Sequence, residues 1–383
     1  MKTDHHFFFQ NAVDMNDVPD ESVGLVVTSP PYPMIAMWDE MFCSQNAEIA
    51  EALKNNRRLE AFELMNGELD RVWDETARVL IPGGFACINI GDATRSVNGH
   101  FMLYPNHSRI MSYMLKIGFT PLPEILWRKP SNAPNKFMGS GMLPAGAYVT
   151  QEHEYILIFR KGEKREFKTE QEKMARRDSA FFWEERNNLF SDIWTDLPGT
   201  RQKVANKQSR NRSAAFPFEL PYRLINMYSV KHDIVLDPFG GLGTTMLAAM
   251  TAGRNSICYE ISDTFRESVT SGAETLLTFA GEHINHRLAN HVAFVHDRIA
   301  AGKQIKHFNH HYNFPVITAQ ERDLVLNEPV AVETTGDLSF EVRYSETAQS
   351  GFGSDQNSTE SQTETLQAAT SGRKKAVQLS LFD

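Results

Sequence analysis

Residues 28–32 carry, on one short stretch, the groups needed to bind an aromatic amine. They read Thr-Ser-Pro-Pro-Tyr and directly follow the apolar run 23–27. Each proline lacks an N–H group and fixes its own φ at about −65°, so the carbonyls of Ser29 and Pro30 are held on a stiff turn with no amide of the next residue to bind them. These oxygens could accept hydrogen bonds from the exocyclic amino group of a planar base, on which Tyr32 would stack. By itself, the stretch is equally typical of a turn that only ends a strand.

A second stretch, residues 233–245, has the pattern of a nucleotide-binding turn. It reads Asp-Ile-Val-Leu-Asp-Pro-Phe-Gly-Gly-Leu-Gly-Thr-Thr, which predicts a strand, a glycine-rich turn and the start of a helix that Thr244 or Thr245 would cap. Glu260 follows the next predicted strand, 23 residues after Asp237. In a βαβ unit, an acidic residue about 20 residues past the glycine turn holds ribose hydroxyl groups. Because no Gly-Lys-Ser/Thr follows the glycines, the turn is not a phosphate-binding P-loop.

Together, the two stretches resemble a known family. Ser-Pro-Pro-Tyr upstream of Asp-Pro-Phe-Gly-Gly-x-Gly-Thr-Thr is similar to the β group of DNA amino-methyltransferases, in which the catalytic motif precedes the cofactor motif. The resemblance covers residues 7–270. It implies an α/β, Rossmann-like methyltransferase fold with a mostly parallel seven-stranded sheet, helices on both faces, a target-recognition insert and a C-terminal extension. It also implies S-adenosyl-L-methionine as the cofactor and double-stranded DNA as the substrate.

The resemblance assigns roles to particular residues. The catalytic motif consists of Ser29, Pro30, Pro31 and Tyr32. The residues that would bind the cofactor are Asn11, Phe216, Pro217, Glu219, Asp237, Pro238, Phe239, Gly240, Gly241, Gly243, Thr244, Thr245 and Glu260. Asn11 stands where the family usually has an acidic residue near the adenine, and its amide can still hydrogen-bond to an adenine edge.

The elements around the two motifs form an alternating pattern. Strands are predicted at residues 7–9, 23–27, 85–92, 124–127, 154–159, 233–237 and 255–259. Helices are predicted at residues 47–80, 107–117, 222–228, 246–252, 264–277 and 281–305. Because ligands of open α/β sheets bind outside the carboxyl ends of the strands, the pattern predicts that both motifs face one crevice.

The chain divides into six predicted segments. Residues 1–160 form the catalytic half of the methyltransferase domain, 161–212 the target-recognition insert and 213–275 the cofactor-binding half. A C-terminal extension at 276–344 is followed by a linker at 345–377, which we expect to be disordered because it is rich in polar residues and nearly free of large apolar ones. Residues 378–383 form a terminal peptide.

The predicted reaction transfers a methyl group to the N4 atom of a flipped-out cytosine. Within the family, a serine before Pro-Pro-Tyr favours cytosine, and the N6 atom of adenine is the alternative. Methylation at carbon 5 of cytosine would need a cysteine thiolate, which the enzymes that carry it out present after a proline, and no cysteine here follows a proline. A DNA-binding protein without catalytic activity is the alternative of another class.

Composition limits the compartment and the partners. Cys43, Cys87 and Cys258 have no paired spacing, which predicts reduced thiols in a cytoplasm. There is no signal peptide pattern and no run of about 18 apolar residues, so we expect no membrane association. His307, His310 and His311 lack a matching set of cysteine or acidic ligands, so no metal site is predicted. The resemblance implies a bacterial, nucleoid-associated protein, with a cognate restriction endonuclease as partner unless the enzyme is solitary.

A basic stretch is the predicted DNA contact. The formal net charge of the chain is −9, but phosphate contact needs only a local basic face. Residues 199–212 contain five basic side chains and no acidic one. These residues are Arg201, Lys203, Lys207, Arg210 and Arg212. The alternative is a solvated loop.

The terminal peptide is the last feature with a specific pattern. It reads Gln-Leu-Ser-Leu-Phe-Asp and resembles the pentapeptide by which bacterial replication and repair proteins bind the β sliding clamp. Leu381 and Phe382 would fill an apolar pocket, and Gln378 would add hydrogen bonds. Leu379 is the fourth residue of the predicted clamp-binding set. There are two alternatives to clamp binding: the segment pairs with the protein's own sheet, or the match is due to chance.

The clamp prediction is tested with a variant in which Leu381 and Phe382 are both replaced by alanine. We expect purified clamp to bind the wild type and not the variant, because the apolar anchors are gone, while activity on short naked DNA stays unchanged. Biolayer interferometry measures the binding. Equal binding by both proteins, or by neither, would show that the peptide is not a clamp ligand.

Overall fold

A computed structural model describes residues 1–129, 138–199 and 216–352. The predicted DNA-contacting residues 201–212, the terminal peptide 378–383 and most of the predicted linker lie outside the described residues.

Within these ranges the strands are numbered β1 to β16 in chain order. They are Lys2–Phe8, Val23–Thr28, Leu80–Ile90, Ala93–Val97, His100–Tyr104, Phe119–Arg128, Met138–Gly139, Ala147–Tyr148, His153–Lys161, Ile193–Trp194, Ile234–Asp237, Asn255–Tyr259, His307–Phe308, Pro315–Val316, Pro329–Gly336 and Ser339–Tyr344. The α-helices are numbered α1 to α9. They are Asp39–Gln45, Ala47–Lys54, Arg58–Val79, Asn106–Lys116, Glu170–Asp178, Trp183–Leu189, Glu219–Tyr228, Thr244–Ala252 and Arg266–Ala300.

In the described residues one large sheet contains ten strands, in the order β10-β6-β9-β3-β2-β11-β12-β1-β16-β15. Its centre is formed by seven strands, in the order β6-β9-β3-β2-β11-β12-β1. Among these seven, only β9 runs antiparallel to its neighbours. Strand β10 extends the sheet at one edge, and the antiparallel pair β15–β16 extends it at the other. The predicted α/β fold with a mostly parallel sheet is therefore confirmed.

Helices cover both faces of the sheet, as the sequence predicts. Strand β2 is buried along its whole length, and its side chains alternate between two apolar clusters. Val26 packs in the cluster that contains helix α3, whereas Leu25 and Val27 pack in the cluster that contains α7. An apolar run buried on both faces is typical of a central parallel strand. Among the described helices, none is long and apolar enough to cross a membrane.

Strands β2, β11 and β12 are parallel neighbours, and this arrangement places the two motifs side by side. Leu25 pairs with Val235, and Leu236 pairs with Ile257. The Ser-Pro-Pro-Tyr turn, the glycine turn and Glu260 therefore all follow the carboxyl ends of adjacent strands, where α/β sheets bind ligands.

The predicted insert begins with ordered elements. Residues 161–199 contain α5, α6 and β10, which the sequence did not predict because this segment has no clear hydrophobic period. Helix α6 packs against the long helix α9 through two polar contacts. Arg287 donates hydrogen bonds to Glu185, and Glu184 Oε1 lies 2.8 Å from His291 Nδ1.

The long helix α9 corrects one prediction. The sequence predicts separate helices at 264–277 and 281–305, but the structure has one continuous helix, Arg266–Ala300. Gly281 lies inside it and is buried, and a Cβ atom there would come within 2.7 Å of Glu328 Oε1. This glycine serves the packing of the helix against Glu328 rather than ending it. The predicted boundary at residue 276 falls within the helix.

Strand β16 of the pair β15–β16 contributes buried side chains to the core, which gives a stability prediction. Phe340 on β16 is 4% exposed and packs in a cluster with Phe7 and Met250, whereas Val330 on β15 is 54% exposed. Phe340→Ala should lower the free energy of unfolding by about 3 kcal/mol, because it leaves a cavity. The matched control Val330→Ala should change it by about 0.5 kcal/mol or less. Urea denaturation measures both, and similar small losses would mean that the pair contributes little to the core.

Candidate active site

A cavity of about 530 Å³ lies at the carboxyl ends of β2, β11 and β12. It brings together residues from both motifs that are about 200 positions apart in the chain. Of the predicted site residues, those that line it are Asn11, Ser29, Pro30, Pro31, Tyr32, Phe216, Asp237, Pro238, Phe239, Gly240, Gly241, Thr244 and Glu260. Trp38 and Ile261 add apolar surface to the lining.

The Asp237 carboxylate connects the two motifs. Its Oδ1 atom accepts a hydrogen bond of 2.6 Å from the Thr28 hydroxyl and one of 3.0 Å from the Phe239 N–H. Its Oδ2 atom accepts a hydrogen bond of 2.6 Å from the Thr245 hydroxyl. Thr28 directly precedes the Ser-Pro-Pro-Tyr turn, and Thr245 lies in the first turn of helix α8. One buried carboxylate therefore fixes the Ser-Pro-Pro-Tyr turn relative to the glycine turn.

This arrangement also corrects the predicted helix cap. The residue at the N-cap position of α8 is Gly243, with φ at 81°, and no side chain caps the helix. The Thr245 hydroxyl is used by Asp237 instead, and Thr244 lines the cavity. A left-handed φ suits glycine, because a side chain would meet its own backbone there.

The glycine turn packs tightly against the sheet. The Gly240 N–H donates to the Tyr259 carbonyl at 2.7 Å. A Cβ atom at Gly240 would lie 3.0 Å from the Phe7 ring and 3.1 Å from the Cys258 Cβ. The space is filled by the protein's own core, so this glycine is required for close packing of the turn on β1 and β12.

Glu260 presents a carboxylate at the same end of the cavity. Its Oε2 atom accepts from the Gly241 N–H at 3.0 Å, and its Oε1 atom accepts from the Ser262 N–H at 2.9 Å. Burial raises the pKa of this carboxyl, and these backbone donors oppose the rise. Each oxygen keeps lone pairs for further donors, such as the two hydroxyl groups of a ribose.

The cavity fits S-adenosyl-L-methionine by the chemistry of its donors and acceptors. Glu260 offers acceptors for the ribose, the Asn11 amide lies at the same cavity, and Phe239 and Ile261 provide apolar surface for a purine ring. When bound, the cofactor supplies a methyl group on a sulfonium, which is a strong electrophile.

Four predicted cofactor residues do not line the cavity. Gly243 is the N-cap residue of α8, and the Thr245 hydroxyl donates to Asp237. Pro217 also lies off the lining, next to Phe216, which is part of it. The Glu219 carboxylate is directed to other partners, since Oε1 accepts from Arg223 Nε at 3.0 Å and Oε2 lies 3.9 Å from His283.

At the other end of the cavity, polar groups surround Tyr32. The Tyr32 hydroxyl donates to Glu154 Oε2 at 3.1 Å and accepts from Asn89 Nδ2 at 3.0 Å. The Ser29 Oγ atom lies 3.3 Å from the Tyr32 hydroxyl. The Tyr32 ring lies against Gly91, where a Cβ atom would approach it to 2.9 Å. Burial raises the pKa of the Tyr32 phenol well above its usual value, so the hydroxyl keeps its proton.

Sequence reasoning missed Asn89, Gly91 and Glu154. Asn89 and Gly91 lie at the polar end of the strand predicted at 85–92, and Glu154 begins the strand predicted at 154–159. Their positions at strand ends could have indicated them, because polar residues at the ends of neighbouring strands lie near the ligand-binding edge of the sheet.

The fold and the cavity define a methyltransferase dependent on S-adenosyl-L-methionine, because a glycine turn and an acidic residue follow adjacent parallel strands beside a turn with amine acceptors. Comparisons with known proteins agree. The family model described as DNA methylase, of the N6/N4 type, matches residues 23–271. The chain belongs to this family of DNA methylases, and its relatives include proteins named type II methyltransferases.

Individual relatives cover most of the chain. Type II methyltransferase M.MthZI of Methanothermobacter thermautotrophicus is 50% identical over 347 residues, which is 90% of this chain and 96% of the relative. Type II methyltransferase M.MjaI of Methanocaldococcus jannaschii is 51% identical over 69% of this chain and 89% of its own. A Thermus thermophilus protein described as a putative DNA modification methylase and solved with S-adenosyl-L-methionine has a TM-score of 0.55 and 31% identity, covering 71% of this chain and 94% of that one.

The buried carboxylate gives a prediction about pH. Burial raises the pKa of Asp237 from its ordinary 3.8 to about 6, although its three donors lower it. Its contribution to stability is therefore fully present below pH 3.8 and is lost as the pH rises through about 6. The stability of the wild type relative to Asp237→Asn should fall across this window. Urea denaturation of both proteins from pH 4 to pH 7 measures it, and a constant or rising difference would contradict the assignment.

Proposed function

We propose that this enzyme methylates the exocyclic N4 atom of cytosine in a base flipped out of double-stranded DNA. The observation that carries the proposal is the position of Ser29 and Pro30 on the wall of the cavity that also contains the glycine turn and Glu260. A serine at this position offers a small hydroxyl acceptor to the amino group. The base must leave the duplex, because an amino group inside the stack cannot reach a buried cavity.

The chemical task of the protein is to make an aryl amine nucleophilic. The lone pair of such an amine is delocalised into the ring. Hydrogen bonds from its two protons to the Ser29 hydroxyl and the Pro30 carbonyl would favour an sp³-like nitrogen, whose lone pair then points at the methyl group. This is catalysis by positioning and electrostatics, and no covalent intermediate with the protein is needed.

The other side chains of the cavity have supporting roles in this proposal. Tyr32 stacks on the flipped base, and Trp38 lines the cavity nearby. Asn11 and Glu260 bind the adenosine part of the cofactor, and Phe216 covers its methionine end. Asp237 holds the two turns at a fixed separation through Thr28 and Thr245.

The partners of the enzyme beyond DNA follow from the sequence. We propose that the basic residues between 199 and 212 contact DNA, that the terminal peptide binds the β sliding clamp, and that the enzyme acts on DNA in the nucleoid. A cognate restriction endonuclease is the partner expected of a restriction–modification system.

The product decides the assignment. The purified enzyme is incubated with cofactor and genomic DNA from a host without DNA methylation, and the DNA is then digested to nucleosides. We expect mass spectrometry to detect N4-methylcytosine, because Ser29 replaces the acidic residue that favours adenine. The matched control is Ser29→Ala, which should give little product. N6-methyladenine as the only product would overturn the proposal for cytosine but keep the amino-methyltransferase.

A further inference from the structure

Glu154 lies behind the Ser-Pro-Pro-Tyr turn, outside the cavity lining, and one of its carboxylate oxygens contacts Tyr32 of that turn. It stands at the start of strand β9, next to the carboxyl ends of β3 and β6. Its Oε2 atom accepts hydrogen bonds from Tyr32 and from Asn89 Nδ2, the latter at 2.9 Å. Its Oε1 atom forms an ion pair of 2.7 Å with Lys129 Nζ. The side chain is 15% exposed, so water competes little for these contacts.

The hydrogen-bond geometry assigns the protons in this group. An ion-paired carboxylate only accepts, so the single Tyr32 proton is donated to Glu154. The Tyr32 oxygen is therefore an acceptor for its two remaining neighbours. One is Asn89 Nδ2 at 3.0 Å, and the other is Ser29 Oγ at 3.3 Å.

These proton positions also fix the direction of the hydrogen bond between Ser29 and Tyr32. Because Tyr32 has no second proton, Ser29 must donate its hydroxyl proton to Tyr32. The two protons of Asn89 Nδ2 go to its shorter contacts, with Glu154 Oε2 and with Tyr32, so Ser29 Oγ, at 3.4 Å from Nδ2, receives no proton from Asn89. A free lone pair of Ser29 is then left for a donor in the cavity. The exocyclic amino group of a target base is such a donor.

We propose that Glu154 is a positioning residue that fixes the direction of the hydrogen bonds Ser29 to Tyr32 to Glu154, and so keeps Ser29 as an acceptor for the target amino group. Lys129 and Asn89 hold the carboxylate in place. The inference rests on the proposed roles of Ser29 and Tyr32, and it applies to cytosine and adenine alike, because both present an amino group.

The test uses Glu154→Gln in the full-length protein. The amide has the shape of the carboxylate but can donate as well as accept hydrogen bonds. It therefore no longer fixes the direction of the hydrogen bonds from Ser29 through Tyr32. We expect the single-turnover rate constant to fall roughly 10- to 100-fold, because the amino group loses its fixed acceptor. The affinity for S-adenosyl-L-methionine, measured by calorimetry, should stay within about 2-fold, since Glu154 does not line the cavity.

A matched control lies two residues away. Glu152 pairs with Arg128 on the surface, where the two side chains are 42% and 61% exposed. Glu152→Gln should leave the rate constant within about 2-fold, because exposed ion pairs contribute little. All rates are measured with excess enzyme on unmethylated genomic DNA, so that product release does not limit them.

A double-mutant cycle separates positioning from general structural support. In a Tyr32→Phe background, the hydroxyl group that links Ser29 to Glu154 is absent. Adding Glu154→Gln should therefore lower the single-turnover rate constant by no more than about 2-fold. An equal fold-loss in both backgrounds would show that Glu154 acts on the fold and not through Tyr32, and it would overturn the proposal. An unchanged rate for Glu154→Gln alone would also overturn it.

One further variant, and the variants of Ser29 and Tyr32, make the test decisive. Lys129→Gln removes the ion pair at a side chain that is 36% exposed, so the protein should fold, and the rate should fall several-fold even if Glu154→Gln is unstable. A wild-type rate for Lys129→Gln would contradict the proposal in that case. If Ser29→Ala and Tyr32→Phe keep the wild-type rate, their proposed roles fail and this inference fails with them. If these variants lose activity and Glu154→Gln does not, only the inference fails.

Discussion

The arrangement of this site depends on one buried carboxylate. Asp237 ends strand β11 and accepts hydrogen bonds from Thr28, at the end of the neighbouring strand β2, and from Thr245, at the start of helix α8. Ionisation of this buried carboxyl costs stability, and its three donors reduce that cost. Without the carboxylate, each of these donors would lose its partner. The Ser-Pro-Pro-Tyr turn and the glycine turn are therefore held side by side at one cavity by the contacts of a single carboxylate.

The two ends of the cavity are held in shape by different kinds of contact. At the cofactor end, Gly240 and Gly241 bring backbone close to the sheet, and Glu260 is held by N–H groups, so shape is set by the main chain. At the end formed by the Ser-Pro-Pro-Tyr turn, side chains behind the turn set the shape of the cavity, because prolines leave few backbone donors there. Glu154 and Asn89 hold Tyr32 in place.

Local patterns were enough to predict the central strands and the two motifs, and the resemblance of these motifs to a known family implied the fold. The contacts behind the motifs were not predictable in this way. Glu154 lies 122 residues from Tyr32, and Asn89 lies 57 residues from it, so only the strand order brings them together. Thr244 or Thr245 was expected to cap helix α8, but the helix begins directly after Gly243, so both lie inside its first turn, and the Thr245 hydroxyl donates to the buried Asp237.

A crystal structure of the full chain with bound S-adenosyl-L-methionine tests the central claim, that Asp237 places the two turns around one cavity. The ribose hydroxyls should lie within hydrogen-bond distance of the Glu260 carboxylate, and the methyl group should point towards Ser29 and Tyr32 while the Thr28 and Thr245 contacts to Asp237 persist. A cofactor whose ribose lies away from Glu260, or whose methyl group faces away from Ser29, would contradict the account.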